Sequence, residues 1–149
     1  MQIKYSTFLS FLFLLLLSCT ESIDNKTNSN YLSTALTVKV SAIIDAVNQK
    51  NADQYVKDFA EDVQVFVEAE LKVNGKESLL ANRTKHFEHH PNVRSEIQHL
   101  VEIDNKVILH DKVWLNDSNS PGKDIVEIFT FENGLIKKVE VIQPKDLFE

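Results

Sequence analysis

A second cysteine is missing from this chain of 149 residues. Cys19 stands alone, so no disulfide can form within the molecule and a two-thiol redox motif is excluded. Glycine and proline are scarce, at three each, which argues against low-complexity sequence and leaves no Gly-rich loop to cradle a phosphate. Cations are in deficit: 16 Lys and Arg face 22 Asp and Glu, for a formal charge of −6. Nucleic acid is therefore a poor partner, because phosphate neutralisation supplies most of that affinity. No internal repeat is present. There is one long apolar run, Phe8 to Leu17, interrupted only by Ser10, and ten residues are too few to span a bilayer as a helix.

What is present begins with that run. Lys4 is the only charged residue before Cys19. A positive start followed by a short apolar stretch has the form of a secretory leader. Leu16-Leu17-Ser18-Cys19 resembles the lipobox of bacterial lipoproteins. The resemblance implies cleavage before Cys19 and a diacylglycerol on its sulfur, which would hold the chain on a bilayer at about 0.8 kcal/mol per buried CH₂. Losing Lys4 with the leader would take the charge from −6 to −7. Thr20 to Asn30 is polar and cannot bury a core, so residues 19–32 read as a lipidated cysteine with a flexible tether. Fully extended, Thr20 to Asn30 would reach about 35 Å at about 3.3 Å per residue. By resemblance to enterobacterial sorting, Thr20 in place of Asp favours the outer membrane within the cell envelope.

Residues 33–149 suit one domain and are too few for two. Leu36, Val40, Ile43, Ile44 and Val47 recur at helical spacing, with Ser33 or Thr34 as cap, and predict a helix to about Asn48. A short second helix carries Tyr55, Val56 and Phe59, capped by Asn51 or Asp53. The period then changes to two: Val63, Val65, Val67, Ala69, Leu71 and Val73 predict one strand or two with a single apolar face. Asn74-Gly75 marks a turn. A third helix from Lys76 ends at His90, because Pro91 disfavours helical geometry in the residue before it. Strands are predicted over Ser95–Ile103, Lys106–Leu115, Asp124–Phe131 and Leu135–Ile142, the last pair joined by Asn133-Gly134. The pattern is α+β, with three helices packed on a curved, mostly antiparallel sheet.

Several segments resemble the nuclear transport factor 2-like superfamily in order and spacing. Asp58-Phe59-Ala60-Glu61-Asp62-Val63 resembles its "FA-D-D-A" junction, and Gly75-Lys76-Glu77-Ser78-Leu79 its "G-x-E-A-I" helix start. Phe87 to Asn92 resembles its "F-P-D" helix end, and Ile125 to Ile136 its "I-x-x-F-x-F-x-x-G-K-I" hairpin, with Leu135 where Lys is frequent. The match covers residues 33–142, and the nearest branch is the SnoaL-like group, with ketosteroid-isomerase-like and polyketide-cyclase-like proteins. It implies a cone-shaped α+β barrel with an apolar pocket at its open end, and pairing of two copies through the outer sheet face. No cofactor is implied.

Three residues are candidates for acid–base chemistry. Glu127 shares a strand face with Ile125, Phe129 and Phe131, where ionisation is costly and the pKa should rise. A neutral carboxylic acid can donate to an oxyanion, as the protonated Asp of ketosteroid isomerase does. The opposite reading turns this face outward to solvent or a second copy. Glu68, with Glu70, lies near the isomerase-like group's general base, although ungapped counting places Val67 there; the bland reading is a solvated carboxylate. His110 could face the cavity or solvent, and His99 likewise. The group's oxyanion tyrosine, sixteen residues before Phe59, corresponds to Ile43, which cannot donate. His86, His89 and His90 cluster, but the intervening Glu of His-Glu-x-x-His and a third ligand are missing, so no metal is assigned. Tyr55, Phe59, Phe66, Trp114 and Phe129 are candidate pocket walls or, equally, core.

Three functions remain open: a lipid-anchored module binding a small apolar or amphipathic molecule, an acid–base enzyme, and a scaffold for another envelope protein. The departures at Ile43 and Val67 favour binding. An enzyme requires Glu127 and a second titrating group in one cavity. A binding module requires an apolar cavity without such a pair. A scaffold requires a filled interior and an exposed apolar sheet face.

Overall fold

The first helix starts where its sequence supplies a cap. In the computed structural model, which describes residues 34–115, 120–145 and 147, the Thr34 side chain accepts from the Thr37 amide and Thr37 answers from the other side. Helix α1 (Ala35–Gln49) then buries Val40, Ile43, Ile44 and Ala46 on one face. Lys50 ends it in the left-handed region, φ 57°. Asn51 caps the four-residue α2 (Ala52–Tyr55). Cys19 and the tether lie outside the described residues. Among the described residues no helix is long and apolar enough to cross a membrane.

The strands are β1 (Phe59–Val67), β2 (Glu70–Asn74), β3 (Arg94–Ile103), β4 (Lys106–Trp114), β5 (Lys123–Glu132) and β6 (Leu135–Ile142), with α3 (Lys76–His89) between β2 and β3. They form one sheet in the order β2-β1-β6-β5-β4-β3. Neighbours are antiparallel except β1 and β6, which run parallel. This is the α+β arrangement that the switch from helical to two-residue periodicity predicts. Gly75 opens α3 at φ 93°, a conformation that L side chains rarely adopt.

The single apolar face over residues 63–73 is corrected. Glu68 and Ala69, at φ 50° and 65°, turn the chain back on itself. A register shift follows Val65, and Leu71 pairs with Phe66. Leu71 therefore faces away from the core and is 48 % exposed. Period-two counting fails here because the hairpin inserts residues that belong to neither face.

The core lies between the helices and the inner sheet face. Phe59, Val63, Val107, Leu109, Phe129 and Ile136 are buried there, and Tyr55 stacks on Phe59 at 5.6 Å between centroids. The outer face keeps several large apolar side chains exposed, among them Val101, Ile103 and Ile142.

Candidate functional site

The interior is not filled. A cavity of about 610 Å³ opens between α1, α3 and the sheet, within the usual range for small-molecule sites of roughly 300–1,000 Å³. Its walls are mostly apolar: Ile43, Ile44 and Val47 from α1, Leu79 from α3, and Val139 and Val141 from β6.

Strand register places two acids in this setting. Leu109 pairs with Glu127 and Asp111 with Ile125, so Asp111 and Glu127 are diagonal neighbours on the inner face of β4 and β5. Both line the cavity. Asp111 is 3 % exposed. Ser95 Oγ donates to its Oδ2, while Oδ1 is buried without a hydrogen-bond partner. Asn48 holds Ser95 in place through two backbone bonds: the Ser95 amide donates to Asn48 Oδ1, and Asn48 Nδ2 donates to the Ser95 carbonyl, each at 2.9 Å.

Desolvation dominates the electrostatics. It pushes the Glu127 carboxyl up to about 8; the charge of Asp111 adds to the rise and Arg83 opposes it. Burial likewise raises Asp111 to about 6, against the stabilising hydrogen bond from Ser95. Glu127 keeps part of its surface accessible, and that surface lines the cavity. It is thus the acid a ligand meets, with Asp111 behind it. Burial also raises the Tyr55 hydroxyl to about 12, opposed by Arg83, whose guanidinium lies 5.5 Å from the Tyr55 ring centroid. On α3, His86 is depressed to about 4, first by burial and then by the charges of Arg83, His90 and His89.

The other candidates fall elsewhere. His110 sits on the outer face, because the inward positions of β4 are Val107, Leu109, Asp111 and Val113. Its Nε2 donates to Asp124 at 2.9 Å, and its Nδ1 lies 3.0 Å from His99 Nδ1. Glu68 occupies the exposed β1–β2 turn, where its Oε1 accepts from the Gln143 amide at 3.3 Å. Of the five aromatic candidates, Tyr55 lines the cavity. Phe59 and Phe129, at 1 % and 0 % exposure, are core. Phe66 points outward beneath Lys138, 5.1 Å from its ring, because Val65 and Val67 take the inward positions. Trp114 packs under Arg94 at 3.7 Å and donates to the Ser120 carbonyl, beside a smaller side pocket. His86, His89 and His90 line the main cavity. Among the described residues no group of three or more His, Cys, Asp or Glu is placed to hold a metal.

Asp111, Ser95, Asn48 and Arg83 escape the sequence reading. Asp111 had a usable signal, since the alternation Val107, Leu109, Val113, Leu115 leaves 111 on the same face. Asn48 had none: its role depends on α1 passing beside the start of β3.

The sequence profile of the SnoaL-like domain matches residues 40–139. No curated protein matches the chain. Similar solved structures include a nuclear transport factor 2-like protein of unknown function from Cytophaga hutchinsonii, 20 % identical, covering 78 % of this chain and 96 % of its own, with a TM-score of 0.63. A putative polyketide cyclase from Sinorhizobium meliloti is also 20 % identical, with 73 % and 99 % covered and a TM-score of 0.60. A protein of ketosteroid isomerase-like fold from Catenulispora acidiphila, in complex with trimethylamine, is 15 % identical, with 69 % and 82 % covered and a TM-score of 0.61. At these identities the structures establish the fold. The profile covers two thirds of the sequence, and the chain belongs to the SnoaL-like domain family.

Proposed function

We propose that this domain holds a small, mostly apolar molecule in its cavity and moves a proton on it, with Glu127 as the proton-handling group and Asp111 as its buried partner. The observation that carries this reading is the pair itself: two carboxyl groups facing one largely apolar cavity from adjacent strands. A carboxyl held up to about 8 is a stronger base than a solvated glutamate, so ionised Glu127 can take a proton from a carbon of the ligand and, as the neutral acid, give one back to carbon. Asp111 beside it raises the cost of losing that proton, so the proton returns to Glu127 after transfer. Pairs of acids whose environments separate their pKa values are a recurrent basis for acid–base work.

Native mass spectrometry of protein purified from several expression hosts should reveal a co-purifying molecule. Returned to the protein in D₂O, that molecule should gain deuterium at carbon with the native chain and not with Glu127→Gln. Capture without exchange would leave a binding module, the second reading. The α1 wall favours that reading, because Ile43 offers no donor where the isomerase-like group has tyrosine. Absence of any captured molecule from every host would sink both.

The same proposal includes the anchor. Lys4, the apolar run and Leu16–Cys19 support acylation of Cys19 and attachment to the bacterial envelope, with Thr20 favouring the outer membrane. Cells fed an alkynyl palmitate should label the native chain, and Cys19→Ser should abolish the label and move the protein to the soluble fraction. An unlabelled native chain would refute the anchor and leave the cavity reading intact.

A further inference from the structure

The charge around the cavity is unevenly placed. Its two acids sit on the sheet, and its cations sit on the opposite wall. Helix α3 turns Arg83, Lys85, His86 and His89 toward the opening, His90 follows, and Lys72 approaches from β2. This happens in a chain with an overall charge of −6. Several of its cations find acids: Lys39 pairs with Asp58 at 3.1 Å, Lys76 with Glu61 at 3.4 Å, and Lys72, beside the cavity, with Glu70. Arg83 does not. Among the described residues no carboxylate lies within ion-pair distance of it. Its Nε and Nη2 donate to the neutral Asn82 Oδ1 at 3.2 and 2.7 Å, and its face lies over Tyr55.

A guanidinium on an apolar cavity wall with no counter-ion among the described residues is a ready partner for a carboxylate, which it can hold with two parallel bonds. The histidines are weaker anchors. They sit at the carbonyl end of α3, where the helix dipole already favours cations and disfavours an anion. Arg83, further from that end, escapes this penalty. The acids across the cavity would suit a cation, and the Catenulispora acidiphila relative holds trimethylamine. Here, however, Glu127 keeps its proton at neutral pH, so at most one negative charge remains on that wall, and Arg83 repels a cation. On the reading that the cavity is a ligand site, we propose that it selects an organic acid: a small, mostly apolar molecule whose carboxylate pairs with Arg83 while its other end reaches toward Glu127.

The test uses three probes of one shape and different charge: 2-naphthylacetate, its neutral amide and 2-(2-naphthyl)ethylammonium. Each is titrated by fluorescence into the full chain in lipid nanodiscs, with empty discs as baseline. The anion should bind at least about tenfold more tightly than the amide, the scale of one charge-assisted contact. Arg83→Gln should bring the anion to within about twofold of the amide, with the amide's own affinity unchanged. Arg83→Lys, which retains the charge and loses the fork, should keep part of the preference, and it carries the test if Arg83→Gln does not fold. An amide or ammonium that binds as well as the anion overturns the inference and leaves the cavity reading standing. So does an anion preference that survives both Arg83 variants. Failure of all three probes to bind removes the cavity reading as well.

Discussion

Phe129→Ala should cost about 3–5 kcal/mol of stability, enough to unfold much of the protein at 37 °C. Phe129 has no accessible surface and lies at the centre of the inner face, beside Val107 of β4 and Val139 of β6. Truncation removes the transfer free energy of a ring and leaves a void that the surrounding strands cannot close, because their positions are fixed by hydrogen bonds on both sides. Urea denaturation followed by far-UV circular dichroism measures the loss. A change below about 1 kcal/mol, accompanied by weakened ligand binding, would return Phe129 to the pocket wall and contradict its assignment to the core.

The second large effect is on pH. Native Glu127 holds its proton to about 8, whereas an unfolded glutamate releases it near 4.5. Between those values the folded state carries the extra proton, so stability falls as pH rises, by at most about 1.4 kcal/mol per unit. Asp111 acts in the same direction between 3.8 and about 6. His86 acts in the opposite sense: its native value near 4 lies below 6.5, so its contribution is lost as pH falls through that window. From pH 6.5 to 8.5 Glu127 acts alone among these three, and the native chain should lose up to about 2 kcal/mol. Glu127→Gln should be flat across that interval and more stable than the native chain at pH 8.5. Asp111→Asn removes the neighbouring charge, so it should move the Glu127 transition to lower pH. A native chain with equal urea midpoints at pH 6.5 and 8.5 would show that Glu127 is solvated.

These expectations rest on features that were unevenly legible in the sequence. Helix α1, its Thr34 cap, the end of α3 before Pro91 and the β5–β6 hairpin are local, set by spacing, capping and turn chemistry within a few residues. Glu127 was legible for a related reason, since the face it shares with Ile125 and Phe129 is a period-two fact. His110 was not, because alternation gives two faces without saying which one meets the helices. Leu71 was lost to a bulge, which no count of apolar positions registers, whereas the outward turn of Phe66 follows from the alternation of Val65 and Val67. Trp114 and Phe129 read alike as large aromatic residues at strand positions; the difference between a ring buried beneath Arg94 and the centre of the core is decided by neighbours remote in sequence. Asn48 and Ser95, 47 residues apart, meet through tertiary contact alone.

The parallel pairing of β1 with β6 joins Phe59 to Ile136 and Val67 to Val141. A ribosome delivers β1 long before the strand that completes it. Until β6 arrives, one margin of β1 presents bare amide and carbonyl groups able to capture a strand from any nearby chain. The middle of the sheet is therefore assembled last, by its most distant contact, so folding should be slow for a protein of this size, and a chain interrupted before Leu135 is a seed for aggregation.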